Sequence, residues 1–274
     1  MKCFVLTAAA VLFLTALFPS VSTAQGYNPV GYFYSALDPH GEWIVIDDGY
    51  YAWRPWRAGR MWRPYTVGHW VWTDMGWYWH STEPWGWATY HYGRWFYDPW
   101  HGWLWVPGLD WAPAWVEWRY GGPTVGWAPL PPYAVYDPYG GIRYRSAWRT
   151  PDEYWIFTDA GRMTSPQLQH HIYRPSSNSR YVGSTRRGGS VESRGGRLVS
   201  RGPEREYVER EGRVRIPPAT VIESRAPGTQ RVGSRGSDRT VEIYRPSPQE
   251  MSRAGAPREP RNATRPVRPV EIRT

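Results

Sequence analysis

Cysteine and lysine each occur once among the 274 residues, as Cys3 and Lys2. Past residue 3 the chain therefore has no thiol nucleophile, no thiolate metal ligand and no internal disulfide. Its cations are arginines, apart from any charged histidine. Long apolar runs are equally scarce. Phe4 to Phe18 forms one, broken by Thr7 and Thr15, and it is shorter than the ~20 residues a membrane-spanning helix needs. Aliphatic side chains are sparse after it, and all twenty Trp fall between Trp43 and Trp155. A core in that span must be built mainly from indole and phenol rings, each burying ~150–250 Å².

The apolar run reads as an export signal. Lys2 supplies a positive start, and Ser22-Thr23-Ala24 a small-x-small site, which predicts cleavage between Ala24 and Gln25. Residues 1–24 are thus expected to be removed, leaving a mature chain in the periplasm, the outer envelope or the medium. The net charge of +9 conceals two opposed halves. Residues 25–160 hold nine Arg against thirteen acidic residues, whereas residues 161–274 hold 23 Arg against eleven. This asymmetry predicts one part that folds and another that meets an anionic surface.

The Trp spacing follows a rule. Gly68-His69-Trp70-Val71-Trp72, Thr73-Asp74-Met75-Gly76 and Trp77-Tyr78-Trp79 read as strand, turn and strand. Alternation puts Trp70, Trp72, Trp77 and Trp79 on one face, with Trp72 opposite Trp77 and Trp70 opposite Trp79. The unit recurs at Gly93–Trp105 with one more residue in its turn, and a weaker copy starts at Gly41. Three such hairpins predict an all-β domain over residues 25–163, a meander or small barrel with an aromatic core. Residues 164–274 are rich in Arg, Pro, Ser and Gly, and their composition predicts a long disordered tail. Two islands repeat within it, Ile172-Tyr173-Arg174-Pro175-Ser176 and Ile243-Tyr244-Arg245-Pro246-Ser247.

The run from Gly68 to Pro132, with GHWVWTDMGWYW, EPWGWA, HYGRW and VGWAPLPP, resembles a family of uncharacterised Trp- and Pro-rich exported proteins of Gram-negative bacteria. The resemblance implies export and β structure. It carries no catalytic or binding residues.

Candidate sites follow from chemistry. Asp74, Glu83, Asp98, Asp110 and Glu117 lie among Trp, as acids do in glycan-cleaving clefts, but Asp74 and Asp98 stand in turns that favour Asp, and Glu83 and Asp110 at connector bends. No catalytic pair emerges. His69 and His80 face each other across the strands on the side opposite the Trp ladder, which is expected to be solvated. Without a third ligand they mark no metal centre, and no cofactor is expected. Trp in the strands serve the core, so contact with a ligand or partner is expected at the connector residues Trp85, Trp87, Trp100 and Trp111. The expectation is a non-enzymatic envelope or secreted protein with a structural or recognition role, its basic tail touching anionic material. Envelope polysaccharide, peptidoglycan and anionic lipid surfaces are the fitting partners; export removes nucleic acid from reach. The alternatives are a small envelope glycan hydrolase and a scaffold that recruits a partner protein through the tail islands.

Overall fold

The structure is a computed structural model. It describes residues 29–47, 50–56, 59, 62–132, 134–137, 141–144, 149–194, 197–252 and 261–262. The expected signal and its cleavage site after Ala24 lie outside these residues. No helix among the described residues is long and apolar enough to cross a membrane.

The chain is mostly β. A short helix, α1 (Pro29–Leu37), leads into a hairpin of β1 (Gly41–Asp47) and β2 (Tyr50–Pro55). The second hairpin joins β3 (Gly68–Thr73) to β4 (Gly76–Ser81), with Trp70 opposite Trp79, Trp72 opposite Trp77 and His69 opposite His80. The alternation of Trp along the sequence thus specifies the register residue by residue. After a single helical turn, α2 (Gly86–Thr89), the third hairpin pairs β5 (Arg94–Asp98) with β6 (Gly102–Val106), setting Trp95 against Trp105. Spacing did not announce the fourth, β7 (Val116–Gly121) with β8 (Thr124–Pro129), which sets Trp118 against Trp127. A small pair follows, β9 (Ala134–Asp137) with β10 (Gly141–Tyr144), and β11 (Ile156–Asp159) adds to the free side of β8.

These hairpins form neither one meander nor one closed barrel. The first and third share a sheet through Trp53 opposite Trp105, whereas the second belongs to another sheet and lies across the fourth. Trp70 packs on Trp118 with ring centres 4.4 Å apart and meets Trp127 edge-on at 5.5 Å. Trp70, Trp77, Trp79, Trp95, Trp105, Trp115, Trp118 and Trp127 are all buried. A buried indole needs an acceptor for its N–H. Connectors provide it: Trp53 donates to Leu37 O, Trp95 to Thr89 O, Trp105 to Tyr92 O, Trp115 to His91 O and Trp127 to Tyr65 O, at 2.7–3.2 Å.

The expected disorder of residues 164–274 does not hold for 164–252. This stretch carries α3 (Asn178–Ser184), β12 (Arg186–Gly189), β13 (Val191–Arg194), β14 (Arg197–Ser200), α4 (Arg205–Gly212), β15 (Thr220–Ser224), β16 (Gln230–Arg235), β17 (Asp238–Tyr244) and α5 (Pro248–Ser252). Composition measures what a segment can bury by itself. Here several of its apolar residues, among them Leu168, Val191, Val208, Ile216, Val241 and Ile243, are buried in clusters shared with the aromatic first half of the chain. Backbone pairing adds to this: β12 extends the β7 edge, and β14 touches β4 where Ser200 meets Gly76. Gly76 has φ +82° and a Cβ there would strike Ser200 O, so glycine both closes the hairpin turn and seats the later strand. The islands are internal contacts too. Tyr173 stacks on Tyr181, and Tyr244 packs on Trp87. Past residue 252, only β18 (Arg261–Asn262) is described, parallel to β1.

Trp70 sits where two sheets interlock, so Trp70→Ala should cost ~3–5 kcal/mol of stability, the range for emptying a buried aromatic site. Urea unfolding followed by circular dichroism measures it. Trp100→Ala, at an exposed turn, should stay within about 0.5 kcal/mol of the parent.

Candidate functional site

The turn that joins β5 to β6 is built around one buried acid. Asp98 Oδ1 accepts the backbone N–H of Trp100 at 2.9 Å and of His101 at 2.8 Å, and lies 2.7 Å from His101 Nδ1. Gly102 closes the turn with φ +77°. This is the local bonding that makes Asp favourable in turns, and it consumes the carboxylate that sequence placed among the candidate acids. The turn projects Trp100 outward. On the same hairpin face, the core pair Trp95–Trp105 gives way one step outward to Tyr97 and Trp103, whose rings meet edge-on at 5.7 Å. Tyr154 backs Trp103 at 4.9 Å.

Opposite this hairpin stands the end of β2. Arg54 bonds Glu42, and its Nη1 donates to His101 O at 3.1 Å, tying the first hairpin to the turn of the third. Trp56 follows the strand and points into solvent. The walls, completed by Trp62, Pro55, Pro99 and Trp103, enclose an open cleft of about 520 Å³. Trp56, Trp100 and Tyr97 are 62%, 52% and 45% exposed, the largest exposures of big apolar side chains among the described residues, and all three line this one cleft. Its arginine is matched locally, Arg54 by Glu42, and His101 Nδ1 lies against Asp98 Oδ1. What remains for a ligand is a set of ring faces with a few polar edges.

Behind the cleft sits Glu83. Its Oε1 accepts the indole N–H of Trp62 at 2.7 Å, and its other oxygen accepts from Tyr90 and Ser81. Burial pushes its carboxyl up to about 7, and these three hydrogen bonds only partly oppose that rise. Neither Glu83 nor Asp110 lines the cleft. Glu117 is buried against β12, accepting from Thr150 and 3.6 Å from Arg187, with burial raising its pKa. Asp74 accepts Val221 N–H at 3.2 Å. The five acids thus stand at separate places, each with a local partner or exposed.

Of the four connector Trp expected to make contact, the structure exposes Trp100 alone. Trp85 is half-buried against Trp53 and His40, and Trp111 lies between His91 and the guanidinium of Arg245. Trp87 is buried between Phe33 and Tyr244, contrary to the exposure expected of it; the C-terminal segment covers what the connector leaves bare. Trp56 and Tyr97 were not anticipated. Trp56 lies past the end of β2, and Tyr97 shares the face of Trp95 but stands at the open end of its hairpin. His69 and His80 are not on a solvated face either. His69 is buried and His80 half-buried, because Val71 and Tyr78 between them form an apolar strip that the sheet β15–β17–β16 covers. Among the described residues no three His, Cys, Asp or Glu side chains converge as a metal site would require.

Residues 34–134 match the model of a family of unknown function, DUF6600. The matched stretch contains the first four hairpins and all of the cleft except Tyr154 behind it. No curated protein and no solved structure matches the chain. The match therefore coincides with the site without assigning it a chemistry.

Glu83 yields a signed pH dependence. Folded, it holds its proton to about 7, against 4.5 when unperturbed. The folded state binds the extra proton between those values, so this group's stabilisation is full below 4.5 and is lost as pH rises to 7. Glu83→Gln keeps an acceptor for Trp62 and cannot ionise. The stability difference between variant and parent should shift by ~3 kcal/mol in favour of the variant from pH 4.5 to 8, as read from urea midpoints at each pH.

Proposed function

We propose that this is an exported, non-enzymatic recognition protein of the cell envelope or surface, which holds glycan through the Trp56–Tyr97–Trp100 cleft. The observation that carries the reading is the convergence, among the described residues, of the three most exposed large aromatic side chains on one cleft whose arginine is already paired. Flat ring faces with local charge neutrality suit the apolar faces of sugar rings, and contiguous exposed aromatics mark interaction surfaces. Export rests on the apolar run from Phe4 to Phe18 with its cleavage site at Ala24 and on the resemblance to exported proteins. Envelope polysaccharide and peptidoglycan are the fitting ligands.

The arginines of residues 164–252 add a second, weaker contact. Many stay exposed, as at Arg174, Arg194, Arg231 and Arg235. Spread over a folded surface rather than along a free tail, they attract anionic envelope polymers or lipid headgroups in a salt-dependent way. Retention on insoluble envelope polysaccharide and peptidoglycan tests both contacts. Replacing Trp56 and Trp100 by Ala should weaken retention roughly ten- to hundredfold, the sum of two ring contacts of ~0.5–1.5 kcal/mol each, with thermal unfolding unchanged. Raising the salt should remove only the part that the double variant retains. Equal retention of variant and parent on every glycan would sink the cleft as the binding site, and release of soluble sugar by the parent would replace recognition with hydrolysis.

A further inference from the structure

The face of β3–β4 that turns away from the Trp ladder carries His69, Val71, Tyr78 and His80, and the three-stranded C-terminal sheet of β15, β17 and β16 lies on it. Val241 and Ile243 pack on Val71 and Tyr78. Polar ties surround that patch. Ala219 N–H donates to Trp72 O at 2.9 Å, Val221 N–H to Asp74, and Gln230 Nε2 to Ser81 O at 2.8 Å. Inside the seal, the rings of His69 and His80 are 5.0 Å apart, and the Nδ1 atom of each is buried with no hydrogen-bond partner. The charge of Arg239, on β17, acts on both.

We propose that the C-terminal sheet is an acid-released cover, docked at neutral pH on the His69–His80 pair and displaced when that pair takes up protons. A proton on either Nδ1 creates a cation with no acceptor, out of water, beside a second imidazole and a guanidinium. Burying an unpaired charge is costly, and the cheapest relief is to let water in by moving the cover. Metal binding would relieve the pair differently, but two imidazoles without a third ligand, next to a guanidinium, do not make a cation site.

The remaining groups at the interface are these. His91 stacks on Tyr78, and its two nitrogens face Ala112 O at 3.0 Å and Gln230 Oε1 at 3.2 Å; burial lowers it to about 4 as well, but these acceptors partly oppose that, whereas the facing Nδ1 atoms of His69 and His80 have none. His80 has one bond, to the Gln230 backbone. Asp74 holds Val221, exposed Asp238 sits at the start of β17, and Arg245 is paired with Glu223. None of these offers an acceptor to His69 Nδ1 or His80 Nδ1.

The direction follows from linkage. Burial, then His80 and Arg239, lower His69 to about 4 in the docked state, against 6.5 when free. The released state therefore binds more protons between those values, and docking weakens as pH falls through 6.5, by about tenfold per pH unit for this histidine. Release would bare Val71, Tyr78 and Trp111, and would uncover Trp87 where Tyr244 now lies on it. This surface is separate from the cleft, and the proposal stands whether or not the cleft binds glycan.

Amide hydrogen exchange on the full chain, corrected for the intrinsic pH effect, tests it. Protection of residues 220–244 should fall at least about tenfold from pH 7.5 to 5.5, while the hairpin at 94–106 keeps its protection. His69→Gln with His80→Gln should flatten that dependence. If the double variant leaves the sheet undocked at pH 7.5, Arg239→Gln serves instead, and it should move release to lower pH. Protection of 220–244 that ignores pH, that falls in step with 94–106, or that follows the parent's profile in these variants would overturn the proposal.

Discussion

The indole N–H is the constraint on which this fold depends. A chain with few aliphatic residues must bury Trp to have a core, and each buried Trp brings a donor that hydrocarbon packing cannot satisfy. The solution recurs: a Trp from a strand reaches across the core and bonds a backbone carbonyl of a connector, as Trp53 does with Leu37 and Trp127 with Tyr65. Loops that would otherwise drape over the surface are thereby fastened to the hairpins from within. Trp77 extends the rule to the C-terminal half by bonding Pro203 O at 2.8 Å. The exceptions, among them Trp70, Trp79 and Trp118, have no acceptor and lie where the ring stack is densest.

The same aromatic packing explains why the cleft sits where it does. At the outer end of the third hairpin the ladder runs out of partner sheet, so of the next two rings along it Trp103 is covered by Tyr154 and Tyr97 meets solvent. The buried carboxylate of Asp98 fixes the turn beyond them, and Arg54 holds the first hairpin against that turn. An exposed aromatic surface arises here as the unfinished edge of a core, with its rings pre-oriented by the packing behind them.

Strand register was legible in the sequence because Trp alternation is strict and Trp is rare. His69 opposite His80 and Trp72 opposite Trp77 were read from spacing alone and stand in the structure. The cleft was only partly legible. Trp100 stood out as a turn residue, but Trp56 and Tyr97 join it from separate hairpins, and adjacency between hairpins leaves no trace in local pattern. The greater departure concerns residues 164–252. Their composition was weighed as if they had only themselves to pack against, and for that reason the histidine face appeared bare and Trp87 appeared available. Both misreadings have one cause, since the surface that the hairpins leave apolar is the surface that orders the segment.

Tyr32, in α1, and Tyr244, at the end of β17, share a hydrogen bond between hydroxyls 2.8 Å apart and 212 residues distant in the chain. That bond makes folding a matter of timing. Contacts between distant segments carry the entropic cost of closing a long loop and slow folding accordingly. The hairpins emerge early in synthesis, yet Trp87 and the histidine strip stay uncovered until residues 220–244 have been made. For that interval the half-assembled molecule displays aromatic surface that its finished form conceals.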